Sequence, residues 1–128
     1  SKSIEIIRDF PAETVYVHAL EEQLIQLFSN IINNSIEALK DITNPQIKIS
    51  ITISRKNNII TIQDNGIGIE EKHATDIFEP FVTSKTDRHG RGLGLFISKQ
   101  IALNLSGNIK YRPPDPYEIA MAPNSKFF

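Results

Sequence analysis

The tightest constraint in the chain lies in residues 47–64, where Ile47, Ile49, Ile51 and Ile53 alternate strictly with Lys48, Ser50, Thr52 and Ser54. A period of two belongs to a strand with one buried and one wet face, and no helix can satisfy it. Asn57-Asn58 then reads as a turn, and Ile60 and Ile62 alternate with Thr61 and Gln63 in a second strand that ends at Asp64. A hairpin with one apolar face follows, and that face needs a cover. Just upstream, Leu20, Leu24, Leu27, Phe28, Ile31, Ile32, Ala38 and Leu39 recur at helical spacing, which predicts an amphipathic helix over 20–39. With 128 residues, 40% of them hydrophobic, the chain is of one-domain size and can bury one core.

The remaining pattern fills in around this unit. Residues 3–9, with Ile4 and Ile6, and residues 14–17 are short strand candidates. Residues 70–78 are weakly helical, and 80–91 hold Thr, Ser, Lys, Asp, Arg and Gly with almost nothing to bury, which reads as a mobile loop. Leu93, Phe96, Ile97, Ile101 and Leu105 give a second helix, closed by the turn signal Ser106-Gly107-Asn108. Further strands are expected at 109–112 and 117–121, with the proline-rich stretch 113–116 as a loop. The order describes an α+β fold, a two-layer sandwich of antiparallel hairpins with helices on one face.

Composition removes several function classes. A net charge of −1 argues against phosphate neutralisation on nucleic acid and gives no reason to expect a membrane surface. The absence of cysteine excludes disulfides, thiolate metal sites and cysteine nucleophiles, and His18, His73 and His89 lack metal-ligand spacing. No apolar run approaches the ~20 residues of a membrane-spanning helix, and no secretion signal opens the chain. The chain starts at Ser1-Lys2-Ser3 and stops at Phe127-Phe128 inside an apolar pattern, so it is expected to be a domain of a larger protein with its last strand cut short.

Three constellations could carry chemistry. In Asp64-Asn65-Gly66-Ile67-Gly68, a strand runs into a carboxylate and two glycines. Asn65-Gly66 alone reads as a hairpin turn, but Ile69-Glu70-Glu71-Lys72 reads as a helix start with acidic residues in its first turn, not as a return strand. A carboxylate at a strand end, beside residues without Cβ, can meet a flat ligand edge-on, and the exocyclic amine of adenine is a donor that would face it. In Gly90-Arg91-Gly92-Leu93-Gly94-Leu95, glycines feed directly into a helix whose N-terminal N–H groups favour phosphate. A loop that merely precedes a helix reads the same way, and neither a P-loop nor a dinucleotide fingerprint is present. Finally, Asn30, Asn34 and Glu37 share one helix face. That face is either solvated or, because asparagine is a poor helix former, chosen for its neutral oxygen, which makes Asn34 the candidate Mg²⁺ ligand. Lys85, Arg88 and Arg91 could neutralise phosphates, or simply sit in solvent.

Taken together in order and spacing, these elements resemble the catalytic and ATP-binding domain of sensor histidine kinases, within the gyrase, heat-shock-chaperone and mismatch-repair ATPase superfamily (the Bergerat fold). Residues 29–38 resemble the N box, 64–68 the first glycine box, Ile77-Phe78-Glu79-Pro80-Phe81 the F box and 90–95 the second glycine box. The resemblance implies ATP and Mg²⁺ as cofactors and a mixed, mostly antiparallel sheet with helices on one face and a mobile ATP lid. It implies Asp64 on the adenine amine with Gly66 and Gly68 beside it, Asn34 on Mg²⁺ and Asn30 near the triphosphate. Gly92, Leu93 and Gly94 would lie under the phosphates, and Arg91 near them. Residues 80–91 would form the lid, hinged beside Phe78 and Phe81. Thr83-Ser84-Lys85 resembles the lid segment of the nitrogen-regulator-like kinases, which puts Lys85 by the γ-phosphate.

One position separates branches of the superfamily. Hydrolytic members carry a glutamate four residues before the metal-binding asparagine, where this chain has Asn30, and a carboxamide is no general base at neutral pH. The implied reaction is therefore transfer of the γ-phosphoryl to a histidine on a separate dimerisation domain, with a response regulator downstream. The alternatives are a superfamily ATPase or protein-serine kinase, or a non-catalytic nucleotide-binding module. No acceptor motif occurs at His18, His73 or His89, so self-phosphorylation is not expected. The usual Gly-Thr-x-Phe appears only as Asn124-Ser125-Lys126-Phe127, and Ser35 stands where alanine is common. The resemblance further implies a cytoplasmic, monomeric domain within a homodimeric parent, whose membrane anchorage stays open.

Overall fold

Side-chain parity along the strands decides which side of the sheet is covered. The computed structural model describes residues 3–74, 76–80, 93–113 and 115–122. In chain order these form β1 (Glu5–Asp9), α1 (Glu21–Ala38), β2 (Gln46–Ile53), β3 (Asn58–Asp64), α2 (Glu71–Ala74), α3 (Gly94–Asn104), β4 (Asn108–Tyr111) and β5 (Tyr117–Met121). The strands make one mixed sheet in the order β1-β2-β3-β5-β4. β1 pairs with β2 in parallel, which requires a crossover, and α1 supplies it. All other pairs are antiparallel.

The register sets Ile51, Ile60 and Ile119 side by side, and next to them Ile49, Ile62 and Tyr117. Ile109 stands beside Ile119 on the far strand. These residues share one face, and Ile62, Ile109 and Ile119 are almost wholly buried there. Leu27 and Ile31 of α1, with Ile101 and Ala102 of α3, close the core from above. Each large aliphatic side chain buried in this way contributes about 1.5–3 kcal/mol. Ser98 Oγ donates to the Leu27 carbonyl at 3.0 Å and ties the two helices together. The opposite face carries Lys48, Ser50, Thr52, Thr61 and Glu118, with Ser50 and Thr61 hydroxyls 2.8 Å apart across the strands.

Several local expectations are corrected. Residues 14–17 form no strand, and the helical reading of 70–78 shrinks to the single turn of α2. The hairpin turn is 54–57, where Ser54 Oγ donates to the Asn57 carbonyl at 2.7 Å. Asn58 is instead the buried first residue of β3, opposite Ile53 and Met121. The turn signal 106–108 does close α3, with Ser106 as its left-handed residue at φ 64°. Gly107 N–H donates to the Ala102 carbonyl at 2.8 Å and Ser106 N–H to that of Leu103 at 3.1 Å, a Schellman closure. Gly107 is needed for space, since a Cβ there would collide with the Ala120 carbonyl of β5. Among the described residues no helix is long and apolar enough to cross a membrane.

Candidate functional site

The helix-facing row of β3 runs Asn58, Ile60, Ile62 and then Asp64, so the alternation that builds the core ends in a half-buried carboxylate beneath the helical layer. Asp64 Oδ1 accepts the Gly66 N–H at 2.8 Å, which folds the chain back on itself at the strand end. The two glycines do different work. Gly68 has φ 78°, where a side chain is strained. Gly66 instead lies against the end of α1: a Cβ would sit 2.7 Å from the Ala38 carbonyl oxygen and 2.8 Å from Asp64 Oδ1. Its missing side chain makes room for the end of α1 and for the Asp64 carboxylate. Asn65 clamps the loop to the α1–β2 connection, accepting the Gln46 N–H at 2.7 Å and donating to the Asn44 carbonyl at 3.0 Å. No return strand follows.

Two tyrosines that the sequence reading left inside a strand complete this end. Tyr111 and Tyr117 are register partners on β4 and β5, with ring centroids 4.8 Å apart and planes at 61°. Tyr111 Oη accepts the Ile69 N–H at 3.0 Å and so holds the far end of the glycine loop. Asn34 Nδ2 donates to Tyr117 Oη at 3.1 Å. Burial raises both phenol pKa values, with the charges of Asp64 and Asp115 adding to it, so both side chains are neutral. Asp115 stands just before β5 and within hydrogen-bonding reach of the Asp64 backbone, so the two carboxylates form a like-charge pair. Burial, and then the Asp64 charge, push its carboxyl up to about 7, against hydrogen bonds from the Asp64 backbone and Gln63. Its Oδ2 is buried without a partner. The strand parity that turned Ile119 inward also turns Tyr117 inward. The β4–β5 connection, whose path the sequence alone does not give, places Asp115 beside Asp64.

At the other end, Asn30 Nδ2 donates to the Gly94 carbonyl at 3.0 Å, joining α1 to the first residue of α3. Leu93, the N-cap of α3, makes no side-chain capping bond, and Gly94 is exposed. Phe78 packs on the edge of the core under Lys99, whose Nζ lies 5.1 Å from the ring centroid and donates to the Ile109 carbonyl at 3.2 Å. The lid reading of 80–91, with Phe81, Lys85, Arg88 and Arg91, lies outside the described residues except for Pro80, as do Gly92 of the second glycine box and the 124–127 motif.

The donor set suits the groups the sequence pointed to. Among the described residues no group of three or more His, Asp or Glu side chains could hold a metal alone. With Asn34 Nδ2 committed to Tyr117, its Oδ1 is left as one neutral, hard ligand on an exposed helix face, which fits a Mg²⁺ whose other ligands are phosphates and water. Asp64 is an acceptor at the base of the same seam.

The comparisons with known proteins agree. Residues 19–124 match the family model described as histidine kinase-, DNA gyrase B-, and HSP90-like ATPase. The chain is 35% identical over 106 residues to sporulation kinase A of Bacillus subtilis, covering 83% of this chain and 17% of that protein. It is 32% identical over 109 residues to the C4-dicarboxylate transport sensor protein DctB of Pseudomonas aeruginosa, covering 84% and 18%. The chain thus spans less than a fifth of these two relatives. The nucleotide-free catalytic domain of the histidine kinase ThkA superposes with a TM-score of 0.80 at 26% identity, covering 94% of this chain and 80% of that one. With the core-facing carboxylate and the two asparagines of α1 in place and the family model matched over residues 19–124, the chain belongs to the histidine kinase-, gyrase- and HSP90-like ATPase family.

Proposed function

We propose that this domain binds ATP with Mg²⁺ and delivers the γ-phosphoryl group to a histidine held by a separate dimerisation domain of the same kinase. The observation that carries the reading is that the helix-facing row of β3 ends in Asp64, at one end of a seam whose other end is Asn30, Asn34 and the start of α3, where Leu93 makes no side-chain capping bond. Asp64 accepts from the adenine amine, Asn34 Oδ1 holds the cation, and the first N–H groups of α3 face the phosphates. When bound, Mg²⁺ supplies charge neutralisation on the phosphates. Lys85, from the segment outside the described residues, is assigned to the γ-phosphate and Arg91 to its neighbours.

Transfer rather than hydrolysis is favoured by Asn30. Its carboxamide is neutral and its Nδ2 is tied to the Gly94 carbonyl, so it cannot take a proton from water. The domain supplies position and electrostatics, and the acceptor comes from elsewhere. A cytoplasmic location, a dimeric parent and a response regulator downstream follow from this reading. The test mixes the domain with the histidine domain of its own polypeptide and γ-labelled ATP. Acid-labile label on the histidine domain is expected. Released phosphate or acid-stable label would instead favour an ATPase or a serine kinase, and binding without transfer a nucleotide-binding module.

A further inference from the structure

We propose that Tyr117 and Tyr111 are positioning residues of this site, each acting through its hydroxyl: Tyr117 fixes the Asn34 carboxamide for the cation, and Tyr111 fixes the Ile69 end of the base loop. The inference rests on the nucleotide-binding reading above and adds a division of labour to it.

A core position on β5 needs only a ring. Tyr117 is 3% exposed and packs in the main cluster, so a phenylalanine would fill the same volume. Its hydroxyl brings a desolvation cost that is offset only where it has a partner, and the partner is Asn34 Nδ2 at 3.1 Å. Asn34 itself stands on an exposed helix face, where the amide plane would otherwise rotate freely. One N–H···O bond to an immobile oxygen settles which way the amide faces, and because nitrogen and oxygen share one carbon, it settles the direction of Oδ1 as well.

Tyr111 performs the equivalent task on the other side. The glycine loop is anchored at its start by Asp64 and Asn65 and at its end by the Ile69 N–H on Tyr111 Oη at 3.0 Å. Between these anchors Ile67 is 84% exposed, so nothing in the core holds the loop's middle. The edge-to-face contact between the rings makes the two hydroxyls one rigid support beneath two different groups.

Tyr117→Phe and Tyr111→Phe keep the rings and remove one oxygen each. The affinity for ADP is measured by calorimetry in EDTA and again with saturating Mg²⁺, beside an Asp64→Ala control. Tyr117→Phe is expected to bind ADP in EDTA like the parent but to lose at least about tenfold of the enhancement given by Mg²⁺. Tyr111→Phe is expected to lose about fivefold in EDTA while keeping the Mg²⁺ enhancement. In the ligand-free parent, the Asn34 side-chain amide protons should exchange slowly with solvent by NMR, and in Tyr117→Phe quickly. Equal losses for both variants in both conditions, an unchanged Mg²⁺ enhancement in Tyr117→Phe, or fast Asn34 exchange in the parent would overturn the proposal. If Asp64→Ala binds ADP as tightly as the parent, the nucleotide reading itself fails. If that control loses ADP while the two tyrosine variants behave alike, only the present inference fails.

Discussion

Around Asp64 the loop's polar groups are tied to one another, with Asp115 Oδ2 left over, whereas around Asn30 and Asn34 only the nitrogen half of each carboxamide is committed. At the base end, Asp64, Asn65, Gly66 and Ile69 are each held by hydrogen bonds to neighbouring backbone or side chains. At the phosphate end, Asn30 and Asn34 each donate one bond, to Gly94 and Tyr117. Among the described residues, neither Oδ1 has a partner there. A flat nucleobase needs a slot of fixed shape, and a fixed slot requires the loop to be ordered before the ligand arrives. A hydrated cation with mobile phosphates needs free oxygens and N–H groups, so the surrounding chain leaves them unfilled.

The glycines offer the sharpest way to break this contrast. Gly66→Ala would place a Cβ 2.7 Å from a backbone oxygen, at a point where the end of α1 cannot yield without moving the loop. A loss of about 3 kcal/mol of stability is expected in urea unfolding, together with loss of nucleotide binding. Among the described residues Gly94→Ala meets nothing nearer than Asn30 at 3.8 Å, an ordinary contact, and should unfold within about 0.5 kcal/mol of the parent. If both variants unfold alike, the two ends are not built differently.

Removing one functional group from each end comes next. Asp64→Ala deletes the acceptor in the slot and is expected to cost about 2 kcal/mol of adenosine affinity, roughly thirtyfold, with or without Mg²⁺. Asn34→Ala should leave adenosine untouched and weaken the Mg²⁺ enhancement of ADP binding by about tenfold. Calorimetry with the two ligands separates them, and a loss of adenosine affinity in Asn34→Ala would merge the ends into one site.

The difference between the ends also explains what could be read from sequence. Periodicity located the helices and the β2–β3 hairpin because each of those elements buries one face of its own pattern, as Leu27 and Ile31 do on α1. Asp64 was legible for the same reason, being the terminal member of an alternating row. The strand expected at 14–17 did not form because a short alternation has no force without a neighbouring strand to pair with. Tyr111 and Tyr117 are not assigned from sequence because their importance comes from register between strands, and Asp115 because the path of its loop toward Asp64 is not legible there. That Gly66 also packs against the Ala38 carbonyl is not legible in sequence, which cannot say which atoms fill a missing Cβ.

Asp115 gives the base end a pH dependence of its own. Its folded-state pKa, about 7, lies above the unfolded value of 3.8, so the proton binds the folded state more tightly. The contribution is complete below pH ~4 and is lost as pH rises toward 7. Because the residue is only half-buried, solvent screening reduces the effect to the order of 1 kcal/mol. Asp115→Asn, neutral at every pH, should unfold at higher urea than the parent at pH ~8.5 and close to it at pH ~4. Parallel profiles for the two proteins would remove Asp115 as the cause.

The smallest effect lies between the ends. Ser35 follows Asn34 on α1, is 1% exposed, and its Oγ has no hydrogen-bond partner. An unsatisfied buried hydroxyl is a cost that no contact here returns, and serine is also a poorer helix former than alanine. Ser35→Ala removes both penalties without changing what Asn34 or Gly66 touches, and it should raise stability by about 0.5–1 kcal/mol in urea unfolding. Adenosine affinity and the Mg²⁺ enhancement should both stay at parental values, because the committed bonds of the two ends run to Tyr117 and the loop rather than through Ser35. A stabilised variant with altered Mg²⁺ enhancement would mean that the helix backbone itself transmits between the ends, and that the independence argued from the separate hydrogen-bond sets is wrong.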